Sequence, residues 1–268
     1  MRLTKHHGLG NDFLVLLDLD GIRPVSPQDA VALCDRRRGI GADGLMRVTA
    51  GTDGADGADV TMRLLNADGS VAEMSGNGIR CLAQAVFQAG LATPPVLRVA
   101  TDAGLRTVTV LARPAANVHR MSVEMGQAKV GEQLPEWVEG DILRAVHVDV
   151  GNPHVVLHWG GEALPGLDQL VEIGARIDSA TPGGANVEII APGEPGEVEM
   201  VVYERGVGPT AACGTGACAA AAAAHDWELT GDRASVNMPG GPVEIALGDP
   251  VLLTGDATSV AVLDTPFP

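Results

Sequence analysis

Apolar and polar positions divide the chain into short runs separated by turns rich in glycine and proline. Residues 60–65 (VTMRLL) and 198–203 (VEMVVY) read as strands, the second alternating apolar and polar at its start. Residues 14–17, 107–111, 145–150, 155–159, 187–190, 243–247 and 251–253 are further strand-like pieces. Ile79, Leu82, Ala83, Val86 and Phe87 fall at helical spacing on one face, and Gly90 is placed to close that helix. Residues 217–224 are apolar all round, so the spacing predicts a buried helix whose small side chains let strands pack closely against it. Many strands with few long helices predict an α+β fold rather than a doubly wound sheet.

The pattern repeats at close to half the chain length. Gly10-Asn11-Asp12-Phe13-Leu14-Val15 returns as Gly151-Asn152-Pro153-His154-Val155-Val156, and Gly41-Ala42-Asp43 as Gly184-Ala185-Asn186. Ser75-Gly76-Asn77-Gly78 returns as Cys213-Gly214-Thr215-Gly216, with Asn66 and Glu204 nine positions ahead in each half. Three matches in one order, with matching coarse structure, predict two duplicated domains facing each other. The halves are expected at residues 1–115 and 116–268, with a linker near 112–120 and the last few residues free to return to the first half.

Composition narrows the chemistry. A chain of 268 residues with 46% hydrophobic residues can build a sizeable core. Its net charge of −16 opposes nucleic acid and anionic membranes as partners. Lys5 and Lys129 are its only lysines, which leaves few candidates to hold pyridoxal phosphate as a Schiff base. The first eight residues lack an apolar leader and no apolar run approaches a membrane span, so a cytoplasmic protein is expected. Cys34, Cys81, Cys213 and Cys218 lack the spacing of a structural zinc site, and no metal is expected.

Both glycine turns place a side chain able to carry a proton, Ser75 or Cys213, just before the glycines that open a helix. Exposed N–H groups and the positive end of the helix dipole there attract carboxylates and favour thiolate. Two such turns flanking one substrate suit removal of a proton from one face of an α-carbon and delivery to the other, which is racemisation or epimerisation without a cofactor. Two other arrangements compete. Gly39-Ile40-Gly41-Ala42-Asp43-Gly44 fits a dinucleotide fingerprint but follows the basic stretch Asp35-Arg36-Arg37-Arg38 rather than a strand. A hydrolase built on Cys213 with His154 or His225 would leave the duplication unexplained.

Together these residues resemble the diaminopimelate epimerase family. The matching stretches are His7-Gly8-Leu9-Gly10-Asn11-Asp12-Phe13, Gly39-Ile40-Gly41-Ala42-Asp43, Asn66-Ala67-Asp68-Gly69-Ser70 and Gly76-Asn77-Gly78-Ile79-Arg80-Cys81 in the first half. In the second half they are Gly151-Asn152-Pro153-His154, Glu204-Arg205-Gly206-Val207-Gly208 and Ala212-Cys213-Gly214-Thr215-Gly216-Ala217. The resemblance implies two similar domains, each a mixed roll of strands around a central helix, and interconversion of LL- and meso-diaminopimelate on the route to lysine and peptidoglycan. It implies substrate contacts from Asn11, Asn66, Gly76, Asn77, Asn152, Asn186, Glu204, Arg205, Gly214 and Thr215, with His154 and Glu204 tuning the proton carriers. It also implies a homodimer acting on a small amino acid without pyridoxal phosphate.

The sequence departs from the family where its first catalytic cysteine belongs: Ser75 stands between Met74 and Gly76. A hydroxyl is a far weaker acid than a thiol and needs a neighbouring base. Ser75 therefore leaves open a slowed epimerase, a racemase of another amino acid, or a binding protein or lyase with one competent base. Cys81, six residues on, is a possible substitute thiol that a helix should carry away from the turn. Gly44 and Pro209 are smaller departures, where some relatives carry a glutamine and an acidic residue.

Overall fold

The computed structural model describes residues 1–51, 57–72 and 74–266. The chain forms two compact units, one of residues Met1–Glu124 together with the chain from Gly255 onward, the other Met125–Thr254.

In the first unit, β1 (Arg2–Gly8) and β2 (Asn11–Leu17) form an antiparallel hairpin, and α1 (Pro27–Cys34) leads to β3 (Gly44–Ala50), parallel to β2. β4 (Val60–Asn66) pairs antiparallel with β3 and with the short β5 (Val71–Ala72). Helix α2 (Gly76–Gln88) crosses to β6 (Val96–Thr101), parallel to β4, and β7 (Gly104–Ala115) and β8 (Val118–Gly126) follow as antiparallel neighbours. The last strand of the chain returns to pair with both β1 and β8, which closes the roll around α2.

The second unit repeats this plan. β9 (Lys129–Gln133), β10 (Ile142–Asp149) and β11 (Pro153–Trp159) are antiparallel neighbours, and α3 (Leu167–Ala180) leads to β12 (Asn186–Pro192), parallel to β11. β13 (Glu197–Glu204) lies between β12 and the short β14 (Gly208–Thr210). Helix α4 (Gly214–Asp226) crosses to β15 (Arg233–Met238), parallel to β13, and β16 (Gly241–Ala246) and β17 (Val251–Asp264) complete the order. The sense of each successive pairing matches the first unit from β1 through β8.

The repeat extends to how the central helices end. After α2, Gly90 at φ +69° sits in the left-handed region, with Gly90 N and Leu91 N donating to Phe87 O and Val86 O. After α4, Glu228 at φ +60° takes the same place, with Glu228 N and Leu229 N bonded to His225 O and Ala224 O. Both are Schellman closures of helix-end carbonyls.

The expected strands all form, several longer than their apolar runs, and α4 is buried from Ala217 through Ala224 as its composition predicts. Two expectations change. Residues 112–120 are not a linker but the end of the β7–β8 hairpin, with Ala112 opposite Arg120 and Ala115 opposite Val118. Helix α2 is not amphipathic in place: Arg80 and Gln84 are as buried as Ile79 and Leu82. Enclosure on all sides forces these polar side chains to find backbone partners. Arg80 Nη1 donates to Gly76 O, and Gln84 Nε2 to Asn117 O and Ala257 O.

Packing around α3 is equally close. A Cβ on Gly174 would stand 2.4 Å from Tyr203 Cγ and 2.5 Å from Tyr203 Cβ. Alanine in place of glycine gains about 1 kcal/mol of helix propensity, but crowding against a ring root that cannot swing away outweighs it. Gly174→Ala is expected to lower the unfolding free energy by about 1–2 kcal/mol in urea denaturation, whereas equal or greater stability would contradict this account of the packing.

Candidate active site

Ser75 and Cys213 are the N-caps of α2 and α4, each in extended backbone conformation. Ser75 Oγ accepts from Gly78 N at 3.0 Å, and Cys213 Sγ accepts from Gly216 N at 3.4 Å. The remaining first-turn N–H groups are the ones a helix leaves for an anion. Gly76 and Asn77 occupy this turn in α2, and Gly214 and Thr215 in α4.

Around Cys213 the structure gathers most of the second-half candidates. Thr215 Oγ1 lies 3.5 Å from Cys213 Sγ and, at the same long distance, from Asn152 Nδ2. Asn152 Oδ1 is 3.0 Å from His154 Nε2, and His154 Nδ1 is 2.8 Å from Glu188 Oε1, with both of those side chains fully buried. Glu204 accepts a short hydrogen bond from Thr210 Oγ1. Asn186 spends its amide on the protein, accepting from Arg205 N at 3.0 Å and donating to Pro153 O at 3.3 Å. Arg205 is exposed and donates to Gly183 O.

Burial outweighs the hydrogen bonds of the helix end at the thiol. Burial raises the Cys213 thiol well above its ordinary value, the Glu204 and Glu188 carboxylates raise it further, and the Thr215 and Gly216 hydrogen bonds act the other way. The thiolate expected from the helix terminus alone is thus disfavoured in the ligand-free protein. Glu204 is itself raised, first by burial, with the Thr210 hydrogen bond opposing and the charge of Glu188 adding to it.

The first-half candidates are organised differently. Asn11 Nδ2 donates to Asp43 Oδ2 at 2.9 Å, and Asp12 N donates to the same oxygen. Asp12 pairs with Lys5 at 2.8 Å and with Arg36 at 2.7 Å, and Arg36 also reaches Asp43. Burial alone would raise the Asp12 carboxyl, but hydrogen bonds and charge from Arg36 and Lys5 prevail and hold it at about 2. Asn66 Nδ2 donates to Ser70 Oγ, and the buried Asn77 accepts from Arg80 Nη2 at 2.6 Å.

Other candidates fall away from these turns. Cys81 is fully buried within α2 and its thiol is pushed up to about 12 by burial, so it is no substitute for a cysteine at position 75. His225 is exposed in the last turn of α4, at the opposite end from Cys213, and His154 bonds to Glu188 and Asn152 rather than to the thiol. The Gly39–Gly44 run follows α1 and leads into β3, the reverse of the strand-to-helix order a dinucleotide fingerprint needs. Among the described residues, no group of three or more His, Cys, Asp or Glu side chains could hold a metal ion. None of the helices there is long and apolar enough to cross a membrane.

Sequence inspection missed Glu188, Asp12, Lys5, Arg36 and Arg80. Glu188, Asp12 and Arg80 carry one available signal, a charged residue inside or beside a run that must be buried, as in Val187-Glu188-Ile189-Ile190, whereas Lys5 and Arg36 lie among polar neighbours that give none.

Two strand rolls of one topology, each wrapped on a helix capped by a serine or a cysteine, make up a fold that solved epimerase and PhzF-family structures share. A hydroxyproline epimerase from Agrobacterium vitis superposes with a TM-score of 0.72 at 19% identity, covering 99% of this chain and 93% of its own. A phenazine biosynthesis PhzF-family protein from Bacillus anthracis superposes equally well, at 0.72 and 14% identity over 100% and 99% of the two chains. The chain belongs to the diaminopimelate epimerase family, whose sequence profile matches residues 3–131 and 146–260. A diaminopimelate epimerase from Desulfitobacterium hafniense is 39% identical, covering 97% of this chain and 96% of its own, and one from Mycolicibacterium smegmatis is 41% identical over 92% and 90%.

Two outcomes follow from the charges. Asp12→Asn strands Lys5 and Arg36 and is expected to cost about 2 kcal/mol near neutral pH. A carboxylate lowered on folding stabilises fully above its unfolded value near 4, and this is lost as pH falls through about 2. The gap in urea stability between parent and variant should therefore close over that window. Glu204→Gln removes a charge that raises the Cys213 thiol, so thiolate absorbance at 240 nm, read against Cys213→Ala, should rise at a pH lower by about one unit. An upward move would contradict the assigned cause.

Proposed function

We propose that this enzyme interconverts LL- and meso-diaminopimelate by two-base proton transfer at the α-carbon. The observation that supports it is the pair of matched helix N-termini, each capped by a group able to carry a proton, in a chain of this family.

Cys213 and Ser75 are assigned to opposite faces of the α-carbon. One carrier takes the α-proton, the electron pair left on carbon delocalises into the substrate carboxylate, and the other carrier delivers its proton from the opposite side. The N–H groups of Gly76 and Asn77 and of Gly214 and Thr215 oppose the charge that develops on that carboxylate. Asn11, Asn66, Asn152, Asn186, Glu204 and Arg205 are assigned to substrate binding, with the Arg205 guanidinium suited to grip a carboxylate. His154 and Glu204 tune the Cys213 side. Each turnover returns the proton count to its starting value, and the carriers re-exchange with solvent.

Ser75 makes the two directions unequal. Its hydroxyl can deliver a proton, but as a base it first has to give one up, at a cost a thiol does not meet. We assign the enzyme to the cytoplasm as a homodimer. Membership of a biosynthetic enzyme family supports the first, and the exposed Val260 and Val262, on one face of β17, support the second.

The test is proton NMR of LL-diaminopimelate in D₂O without added cofactor, with the stereoisomers resolved afterwards. The expected result is loss of the α-proton signal with appearance of the meso isomer, acceleration by Ser75→Cys of about tenfold or more, and loss of exchange in Cys213→Ala. Silence from both the parent and Ser75→Cys would overturn the assignment, and activity retained by Cys213→Ala would remove that thiol from the mechanism.

A further inference from the structure

The two units differ most where they should match. The repeat sets His154 against Phe13, and the strand registers carry this one strand further: His154 lies opposite Asn186 and Phe13 opposite Gly44, so Asn186 corresponds in the structure to Gly44, one residue beyond the Asp43 that the sequence motif matches to it. Two residues on stand Glu188 in β12 and Met46 in β3. Both reach the first turn of their central helix. A Cβ on Gly216 would stand 2.5 Å from Glu188 Oε1, and one on Gly78 would stand 3.4 Å from Met46 Sδ. A buried apolar pair, Phe13 and Met46, thus occupies in the first unit the strand positions that the hydrogen-bonded pair His154 and Glu188 occupies in the second.

The fold does not need this buried polar pair. Phe13 and Met46 fill the same places in the first unit, and a well-packed apolar pair is commonly as stable as a buried ion pair or more so. Glu188 is also incompletely satisfied: Oε2 is buried with no hydrogen-bond partner among the described residues. Its charge is therefore met by His154 and by the positive end of α4.

Resting on the assignment of Cys213 as a proton carrier, we propose that Glu188 is a positioning residue that sets the charge and orientation of the hydrogen-bond chain ending at Cys213 Sγ. A carboxylate only accepts, so Glu188 places a hydrogen on His154 Nδ1 and turns Nε2 toward Asn152. Asn152 and Thr215 continue the chain to the sulfur. The same carboxylate, with Glu204, opposes loss of the thiol proton, so the thiolate formed during turnover is a stronger base.

Glu188→Gln keeps the shape and an acceptor for Nδ1–H while removing the charge. Cys213 absorbance at 240 nm, which needs no substrate, should then titrate lower by about half a unit to one unit. The Cys213 limb of the kcat–pH profile for α-proton exchange should move the same way, with kcat down about tenfold, KM within about twofold, and most of the loss restored by Glu188→Asp. A titration and profile unmoved in Glu188→Gln would overturn the proposal, because a merely structural role lowers amplitude without shifting either. Absent exchange in the parent would instead count against the proposed reaction and leave the thiol titration to judge Glu188. Should Glu188→Gln not fold, long-range proton–nitrogen NMR of the parent decides: a hydrogen on His154 Nδ1 is expected, and one on Nε2 alone overturns the proposal.

Discussion

A helix enclosed on every side by strands has to satisfy its first-turn N–H groups locally or offer them to a ligand, and this constraint organises both units. Side-chain capping takes one of those donors in α2 and one in α4, through Ser75 and Cys213. A cap needs a short side chain bearing an acceptor, in extended backbone conformation just ahead of the helix. Serine and cysteine meet those demands and also carry an exchangeable proton, which an asparagine cap would not. Glycines follow because the space under the first turn is filled: Glu188 lies beneath Gly216, and Met46 and Ser75 beneath Gly78.

The same constraint exposes a conflict between capping and acid–base chemistry. Oxygen is the better cap, and Ser75 Oγ accepts from Gly78 N at 3.0 Å where Cys213 Sγ accepts from Gly216 N at 3.4 Å. Sulfur is the better acid by several orders of magnitude in ionisation. The first unit therefore holds the stronger cap and the weaker acid, the second the reverse.

Electrostatic investment follows that division. The second unit places Glu188 and Glu204 close to its thiol, where burial magnifies each charge. The first unit keeps its ion pairs among Lys5, Asp12, Arg36 and Asp43, which hold Asn11 and the start of β2 in place, and packs apolar side chains behind Ser75. One topology thus carries two electrostatic designs, and the topology itself is indifferent to which is present.

Much of this was legible in the chain. The duplicated order of Gly10-Asn11, Gly41-Ala42 and Ser75-Gly76 motifs announced two equivalent units, and the all-apolar residues 217–224 announced a buried helix, because periodicity and burial are local properties of a sequence. β1, with its His6 and His7, carries no apolar run to mark it as a strand, and α1 is too short to show a helical period although Ser26 and Asp29 form a capping box at its start. Sequence alone determined the fold class, the repeat and the two caps. Tertiary structure alone decided that Arg80 and Gln84 would be buried and that Glu188 would reach the first turn of α4. These depend on which strand lies beside which and in what register, and a register brings together residues far apart in sequence whose identities say nothing of one another.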